Sequence, residues 1–431
     1  MGRRRPFDVV LWGCTGFTGR LVAKYFATRV AKRQPGLRWA LAGRSEEKLV
    51  SLSTDCAHPE GNVPFLVASA SDQAEVDKVA ASTKVILSTA GPFAQHGAPV
   101  IDACIRNGCD YVDINGETGW HRQMIDTYDD AARDAGVVLI PSSGFDSIPS
   151  DLGSAWMTQR IFDASGLPTR RVSCYASLRG SFSGGTVASG INSELTHGTA
   201  LSDPFLLGGQ PYSFSGITDD EHDDLLEPVY DPLIGSYTAP FGMSTINTRI
   251  VRRSVGLLEE DDPGCHSERY SPDFCYRECM TAPDEATAAK MARAAAAPAS
   301  KLAEMVASGR LPSPGDGPDE ATRASSWFDF KFVAEADGPA GASGTLSYKL
   351  CGTISGGDPG YDETAKMVSE TAVLLAMSDR EELPASARRA GFLTPSTALG
   401  SLLQERLHTE GIRFEEAPLP EGVLSADAPK F

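Results

Sequence analysis

A chain of 431 residues with 57 Asp and Glu against 39 Lys and Arg carries a formal net charge of −18. That length exceeds one small core, so two domains are expected, and the acidity excludes nucleic acid or an anionic membrane as the main partner, since both require a basic surface. Nine scattered cysteines point to free thiols in a reducing compartment; with no apolar leader behind Arg3-Arg4-Arg5 and no unbroken apolar run of about 18 residues, no signal peptide or membrane span is expected, and the location is read as cytoplasmic.

In chain order, strands are expected at Phe7–Trp12, Leu37–Ala42, Pro64–Val67, Lys84–Ser88, Tyr111–Ile114 and Val137–Ile140. Helices are expected between them, at Thr18–Lys32, Ser45–Ser53, Asp72–Ala81, Pro99–Asn107 and Trp120–Ala135. Regular alternation of this kind means βαβ units on a parallel sheet. The first helix puts Leu21, Val22, Tyr25, Phe26 and Val30 on one side, as a sheet-packing helix requires.

Beyond Pro149 the pattern changes. Strands are expected at Val172–Leu178, Ile246–Arg252, Asp273–Cys279, Trp327–Ala334 and Ser343–Cys351, forming an antiparallel or mixed sheet. The acidic stretches Thr218–Asp224 and Glu259–Asp262 read as solvated loops. Ala286–Val306 reads as a helix, Leu311–Pro318 as a surface loop, and Leu399–His408 as a last helix before a Pro-rich tail. The fold class is therefore α/β: an N-terminal Rossmann-type, doubly wound parallel sheet with a C-terminal α+β domain. The expected divisions are 1–146, a nucleotide-binding domain; 147–395, a substrate and dimerisation domain; and 396–431, a helix and tail placed against the first domain.

Gly13-Cys14-Thr15-Gly16-Phe17-Thr18-Gly19 follows the first strand and opens the first helix. Gly13, Gly16 and Gly19 permit a tight turn and close approach to a pyrophosphate, and the helix start at Thr15, Phe17 and Thr18 offers N–H groups to the anion. The second strand leads into Gly43-Arg44-Ser45 with no carboxylate to read a ribose 2′-hydroxyl. Arg44 suits a 2′-phosphate, with Ser45 and Lys48 close by, so the cofactor is read as NADP(H). The turn Ser88-Thr89-Ala90-Gly91-Pro92 leaves the fourth strand where the nicotinamide or its ribose belongs.

No Tyr-x-x-x-Lys pair, Gly-x-Ser-x-Gly elbow or His-Glu-x-x-His helix occurs. Cys265, His266, Cys275 and Cys279 fit no standard zinc spacing, and no metal is expected. Two polar clusters remain for chemistry. Tyr111, Asp113 and Glu117 lie at or beyond the end of the fifth strand. Asp146 and Ser147 lie at the domain junction, where clefts bind ligands and where either residue also suits the N-cap of a helix with Pro149 in its first turn. A glycine loop, Ser183-Gly184-Gly185-Thr186, either closes over substrate or turns a strand.

The order of Gly13–Gly19, Leu41-Ala42-Gly43-Arg44, Gly91-Pro92-Phe93, Tyr111-Val112-Asp113, Gly116-Glu117 and Gly144–Gly153 resembles the saccharopine dehydrogenase-like oxidoreductases, and within them the bacterial trans-acting enoyl reductases. Gly185-Thr186, Ser326-Trp327-Phe328, Gly356–Tyr361 and Leu393-Thr394-Pro395 extend the resemblance along nearly the whole chain. It implies a Rossmann domain, a C-terminal α+β domain and nicotinamide-dependent reduction. The reading is NADPH-dependent reduction of a conjugated C=C bond in a small-molecule or carrier-bound acyl or polyketide-like substrate, by an enzyme that forms a homodimer. Reduction of an imine or ketone, and a non-catalytic NADP-binding sensor or scaffold, stand as alternatives. Asp113 or Asp146 acts as an acid near neutral pH only if burial raises its pKa.

Overall fold

The computed structural model describes residues 5–57, 61–198, 200–209, 222–313, 315–336 and 347–426. The first sheet contains β1 (Phe7–Trp12), β2 (Trp39–Gly43), β3 (Phe65–Val67), β4 (Thr83–Ser88), β5 (Asp110–Asp113) and β6 (Val138–Ile140). Val9, Val10, Leu11, Ala40, Leu41, Val85, Ile86 and Leu87 are all buried, because helices cover both faces of the sheet. The first helix runs Phe17–Tyr25, passes through a π turn at Phe26–Val30 and ends at Ala31–Arg33. It seats Val22, Ala23, Phe26 and Val30 in the core.

The second sheet contains β7 (Thr169–Arg179), β8 (Val229–Asp231), β9 (Ser236–Ala239), β10 (Tyr270–Ala282), β11 (Trp327–Ala336) and β12 (Tyr348–Gly356). A seventh strand of the first sheet, β13 (Gly391–Phe392), pairs in parallel with β6, and the last strand, β14 (Arg413–Ala417), pairs antiparallel with β12. The first sheet has the order β13-β6-β5-β4-β1-β2-β3 and is parallel throughout. The second has the order β14-β12-β11-β7-β10-β9-β8, and its parallel pair is β7 with β10. Helix Ile148–Ser165 lies on this second sheet. At Gly153 a Cβ would stand 2.4 Å from the Phe332 ring, so glycine lets the helix approach the Phe328, Phe330 and Phe332 row of β11.

Several expectations are corrected. Ile246–Arg252 is not a strand; it lies inside helix Ser244–Asp261. The run alternates in polarity because Asn247, Arg249, Arg252 and Arg253 are buried with partners: Asp224 carboxylate for Arg249, and backbone carbonyls for Arg252 and Arg253. Glu259, Glu260 and Asp261 close the same helix rather than forming a loop, and Arg389 pairs with Glu260 and Asp261. Ala286–Val306 divides into helices Glu285–Ala295 and Ala299–Ala307, with Pro298 at the break. Of Thr218–Asp224, residues 218–221 lie outside the described residues; so do 343–346 of Ser343–Cys351, whose remainder enters β12, and residue 314 of the loop 311–318. β13 carries part of the segment 147–395 into the first sheet. The helix Gly400–Thr409 buries Leu403 and Leu407 and packs on helices Ile148–Ser165 and Asp362–Met377; the tail then joins the second sheet as β14, while Glu410 reaches Arg33 of the first domain. Among the described residues no helix is long and apolar enough to cross a membrane.

Asp8, in β1, accepts two hydrogen bonds from the Arg38 guanidinium at 2.9 and 3.0 Å, one from the Arg38 N–H at 3.0 Å, and lies 3.0 Å from Lys84 Nζ. Burial pushes its pKa up, but the bonds from Arg38 and Lys84 outweigh it and bring it down to about 2. A depressed carboxylate contributes stability that is present above its unfolded pKa and lost as pH falls through its folded value. Asp8→Asn is therefore expected to cost about 2 kcal/mol at pH 7. In urea denaturation the gap to the parent should narrow as pH is lowered from 5 toward 2.

Candidate functional site

Three strand ends meet at the glycine loop. The Gly13 N–H donates to the Ala42 carbonyl at 3.0 Å, the Thr89 N–H to the Trp12 carbonyl at 2.9 Å, and the Gly16 N–H to the Gly13 carbonyl at 3.1 Å. Gly13 has φ +77°, and a Cβ there would lie 2.8 Å from Ala90 Cβ. A Cβ at Gly19 would come within 2.5 Å of the Gly13 carbonyl oxygen and 2.7 Å of Cys14 Cα. Glycine at these two positions therefore lets the loop fold tightly on itself and on the Thr89-Ala90 turn, the compact strand-to-helix turn that a dinucleotide site requires. Gly16 caps helix Phe17–Tyr25 without a side-chain bond, which leaves the N–H groups of its first turn for an anion. Thr15 and Thr18 are partly exposed on the rim. The loop fits a dinucleotide.

Arg44 and Lys48 are exposed beside this cradle, immediately after β2. Ser45 has a structural task as well: its hydroxyl accepts from the Lys48 N–H at 3.4 Å and caps helix Glu46–Asp55. On the other side, Ser88 is buried at the end of β4, Ala90 presses against Gly13, and Gly91 leads to Pro92 through a cis peptide.

Tyr111, Asp113 and Glu117 hold this edge of the sheet together. Asp113 Oδ1 accepts from the N–H groups of Asn115 at 2.8 Å and Ser142 at 3.0 Å, and Oδ2 accepts from the Tyr111 hydroxyl at 2.8 Å. Burial raises its pKa to about 7 despite these three donors. Glu117 Oε1 accepts from the Phe93 N–H at 2.7 Å and the Ser189 hydroxyl at 2.9 Å, and Oε2 from the Ala94 N–H at 3.1 Å. It thereby pins the Gly91-Pro92-Phe93 turn to helix Gly184–His197 of the second domain.

At the junction the arrangement differs. Ser147 stands at the N-cap of helix Ile148–Ser165, but its hydroxyl makes no cap bond. Asp146 makes none either. The capping role weighed for the pair is therefore absent, and the Ser147 N–H instead bonds the Ser142 carbonyl at 3.0 Å. Asp146 Oδ1 has no hydrogen-bond partner among the described residues, and Oδ2 lies over Gly116, 3.4 Å from where a Cβ would sit. Burial, with a smaller contribution from the negative charge of Glu278, raises the Asp146 pKa to about 7.

Glu278 is a site residue that sequence reasoning missed, together with Tyr276 and Asn247. Glu278 Oε1 accepts from Asn247 Nδ2 at 2.7 Å and Oε2 from the Tyr276 hydroxyl at 2.6 Å. Tyr276 and Glu278 are two apart in β10 and so share one face. Two polar groups spaced two apart on one face of β10, beside the buried Cys275 and Cys279, were the available signal. Asn247 gave none, because its helix reads as a strand.

Ser183-Gly184-Gly185-Thr186 begins a helix rather than turning a strand: the Ser183 hydroxyl accepts from the Thr186 N–H at 3.3 Å. Tyr361 bonds the Ser183 N–H, and its ring meets Phe17 edge-on with centroids 5.1 Å apart. Arg323 stacks over the same Phe17 at 5.9 Å. The second domain thus meets the glycine loop at Phe17, through Tyr361 and Arg323.

Comparison with known proteins agrees with this geometry. Residues 9–140 match the family model described as the saccharopine dehydrogenase NADP binding domain. A protein of Mycobacterium tuberculosis is 32% identical over 437 residues, spanning 96% of this chain and 98% of its own. A trans-acting enoyl reductase of Mycobacterium ulcerans is 32% identical over 435 residues, 95% of this chain and 97% of its own. Apo saccharopine dehydrogenase (L-Glu forming) of Saccharomyces cerevisiae shares the fold at a TM-score of 0.51 and 13% identity, over 95% of this chain and 99% of that one. The chain belongs to the saccharopine dehydrogenase-like family and is an NADP-binding oxidoreductase related to the trans-acting enoyl reductases.

Proposed function

We propose that this oxidoreductase reduces the conjugated C=C bond of an acyl substrate, carried on a small molecule or on a carrier. When bound, NADPH supplies the hydride that adds at the β-carbon. The Gly13–Gly19 loop holds the pyrophosphate, Arg44 with Ser45 and Lys48 holds the 2′-phosphate, and the Ser88–Pro92 turn borders the nicotinamide end. Glu117 keeps that turn in place. Asp146 gives its proton to the α-carbon as the enolate collapses. The observation that carries the reading is the unpartnered Asp146 Oδ1 beyond the carboxyl ends of the parallel strands, where this class of sheet binds ligands. A carboxyl group whose pKa is about 7 is substantially protonated at neutral pH and has a proton to give.

The test uses NADPH deuterated at the transferred position, with an α,β-unsaturated thioester in ordinary water. Deuterium at the product β-carbon and solvent hydrogen at the α-carbon are expected. Label on a carbon bearing oxygen or nitrogen, with ketones or imines as the preferred substrates, would replace this reading with carbonyl or imine reduction. NADPH binding with no oxidation by any of the three substrate classes would leave a sensor or scaffold.

Cofactor choice has its own test. A charge-assisted hydrogen-bond pair contributes about 1.5–3 kcal/mol. Arg44→Ala is therefore expected to weaken NADPH binding about 10- to 100-fold in a fluorescence titration and to leave NADH affinity unchanged. An equal loss for both nucleotides would remove Arg44 from the phosphate site.

A further inference from the structure

We propose that Ser189, on helix Gly184–His197 of the second domain, recognises the carboxamide N–H2 of the nicotinamide ring, and that Glu117 fits it for this by taking up its only proton. The proposal rests on the assignment of the nicotinamide end to the Ser88–Pro92 turn and names the group that orients the ring there. A hydroxyl inside a helix has a local partner in the carbonyl four residues back. Thr28, Thr54, Thr127 and Ser165 each donate to theirs, at 2.7, 3.0, 2.7 and 2.7 Å. Ser189 donates to Glu117 Oε1 instead, at 2.9 Å, across the domain boundary.

Glu117 is itself held on all sides. Its Oε1 also accepts from the Phe93 N–H at 2.7 Å, its Oε2 from the Ala94 N–H at 3.1 Å, and its own N–H donates to Asn115 Oδ1 at 2.8 Å. The two backbone N–H groups can only donate, so the carboxylate accepts throughout and the Ser189 hydroxyl is the donor. A serine hydroxyl has one proton and two lone pairs. With the proton committed to Glu117, Ser189 can only accept. It cannot steady an enolate oxygen or a phosphate, which need donors; it suits a ligand N–H or O–H. Ser189 is partly exposed, and its Oγ lies 3.7 Å from where a Cβ on Gly91 would stand, so this acceptor sits on the turn assigned to the nicotinamide end. Gly190, the next residue, has open space where its Cβ would be. Ribose hydroxyls both donate and accept, and any polar neighbour serves them. The carboxamide N–H2 only donates, and an acceptor-only hydroxyl is its specific complement. One such bond fixes the rotation of the ring about its bond to the ribose, and with it the face turned toward the substrate.

Calorimetric titration of the whole protein with NADP+ and with its 3-acetylpyridine analogue tests this without turnover. The analogue keeps the ring carbonyl, the ribose and the phosphates and carries a methyl group in place of the N–H2. The parent is expected to bind NADP+ about 2- to 12-fold more tightly than the analogue, the usual worth of one neutral hydrogen bond. Ser189→Ala should bind the two alike, by losing affinity for NADP+ alone. A parent without the preference, or a Ser189→Ala variant that keeps it, overturns the proposal. An equal loss of affinity for both nucleotides marks a ribose contact or a merely structural role and also overturns it. Ser189→Cys is the second variant, in case Ser189→Ala does not fold by circular dichroism. A thiol is a weak acceptor, so the preference should shrink there too, and an unchanged preference again overturns the proposal. The underlying readings fail separately. If Arg44→Ala weakens NADPH binding as expected but Ser189→Ala keeps the preference, the phosphate end stands and the carboxamide assignment falls. If the preference is lost as expected but the parent reduces no enoyl substrate, Ser189 keeps its assignment and the enoyl reading falls.

Discussion

Asp146→Asn is expected to lower turnover about 100- to 10,000-fold, the usual contribution of a placed general acid, and to make the protein more stable above pH 7. The two effects have one cause. A carboxyl group raised from its ordinary 3.8 to about 7 by burial binds its proton more tightly in the folded chain than in the unfolded one. Its contribution to stability is therefore complete below the unfolded pKa, declines as pH rises through the interval, and becomes a fixed penalty above the folded pKa. Asparagine never ionises and escapes that penalty. Thermal melts should show variant and parent nearly alike at pH 4, and the variant higher at pH 8. A residue serving only as a helix cap would show the reverse, since losing a cap costs stability. Retained turnover in Asp146→Asn removes the residue as proton donor.

Gly19→Ala should damage the nucleotide site with a single methyl group. Its Cβ would meet two backbone groups, the Gly13 carbonyl at 2.5 Å and Cys14 Cα at 2.7 Å. Neither is the end of a flexible side chain, so the loop itself must move. Overpacking of this kind costs about 1–3 kcal/mol, and the melting temperature should fall by several degrees. The displaced N–H groups are those assigned to the pyrophosphate in the proposed cofactor site. NADPH affinity should therefore drop about 10- to 100-fold, the equivalent of losing one charge-assisted bond. Gly36, by contrast, has open space where a Cβ would stand. Gly36→Ala should leave NADPH affinity alone and serves as the control.

What was legible in the sequence was local. The strands β1, β2, β4 and β6 are buried on both faces, so each appears as a short apolar run between turns, whereas β3 lies partly exposed at the sheet edge. The glycine loop is a contiguous motif whose strand and helix flank it directly. β13 is two residues long and gains its place only by pairing with β6. Helix Ser244–Asp261 misleads because its buried arginines find backbone carbonyls and an aspartate contributed by distant segments. The site divides in the same way. Asp113 and Glu117 were visible as polar groups at a strand end. That every one of their oxygens is occupied was not, because the donors come from residues 93, 94, 142 and 189 as well as from nearby positions. Asp146 was visible at the junction, but its relation to Glu278 exists only once two sheets are folded against each other.

The seating of β13 against β6 interleaves the two domains along the chain. The chain leaves the first sheet after β6, builds the second sheet, and returns to lay Gly391–Phe392 on the strand it left. It then crosses once more to lay β14 on the second sheet, so three covalent connections join the domains. A fragment ending at residue 146 would leave the β6 edge unpaired, an open template for association with other chains.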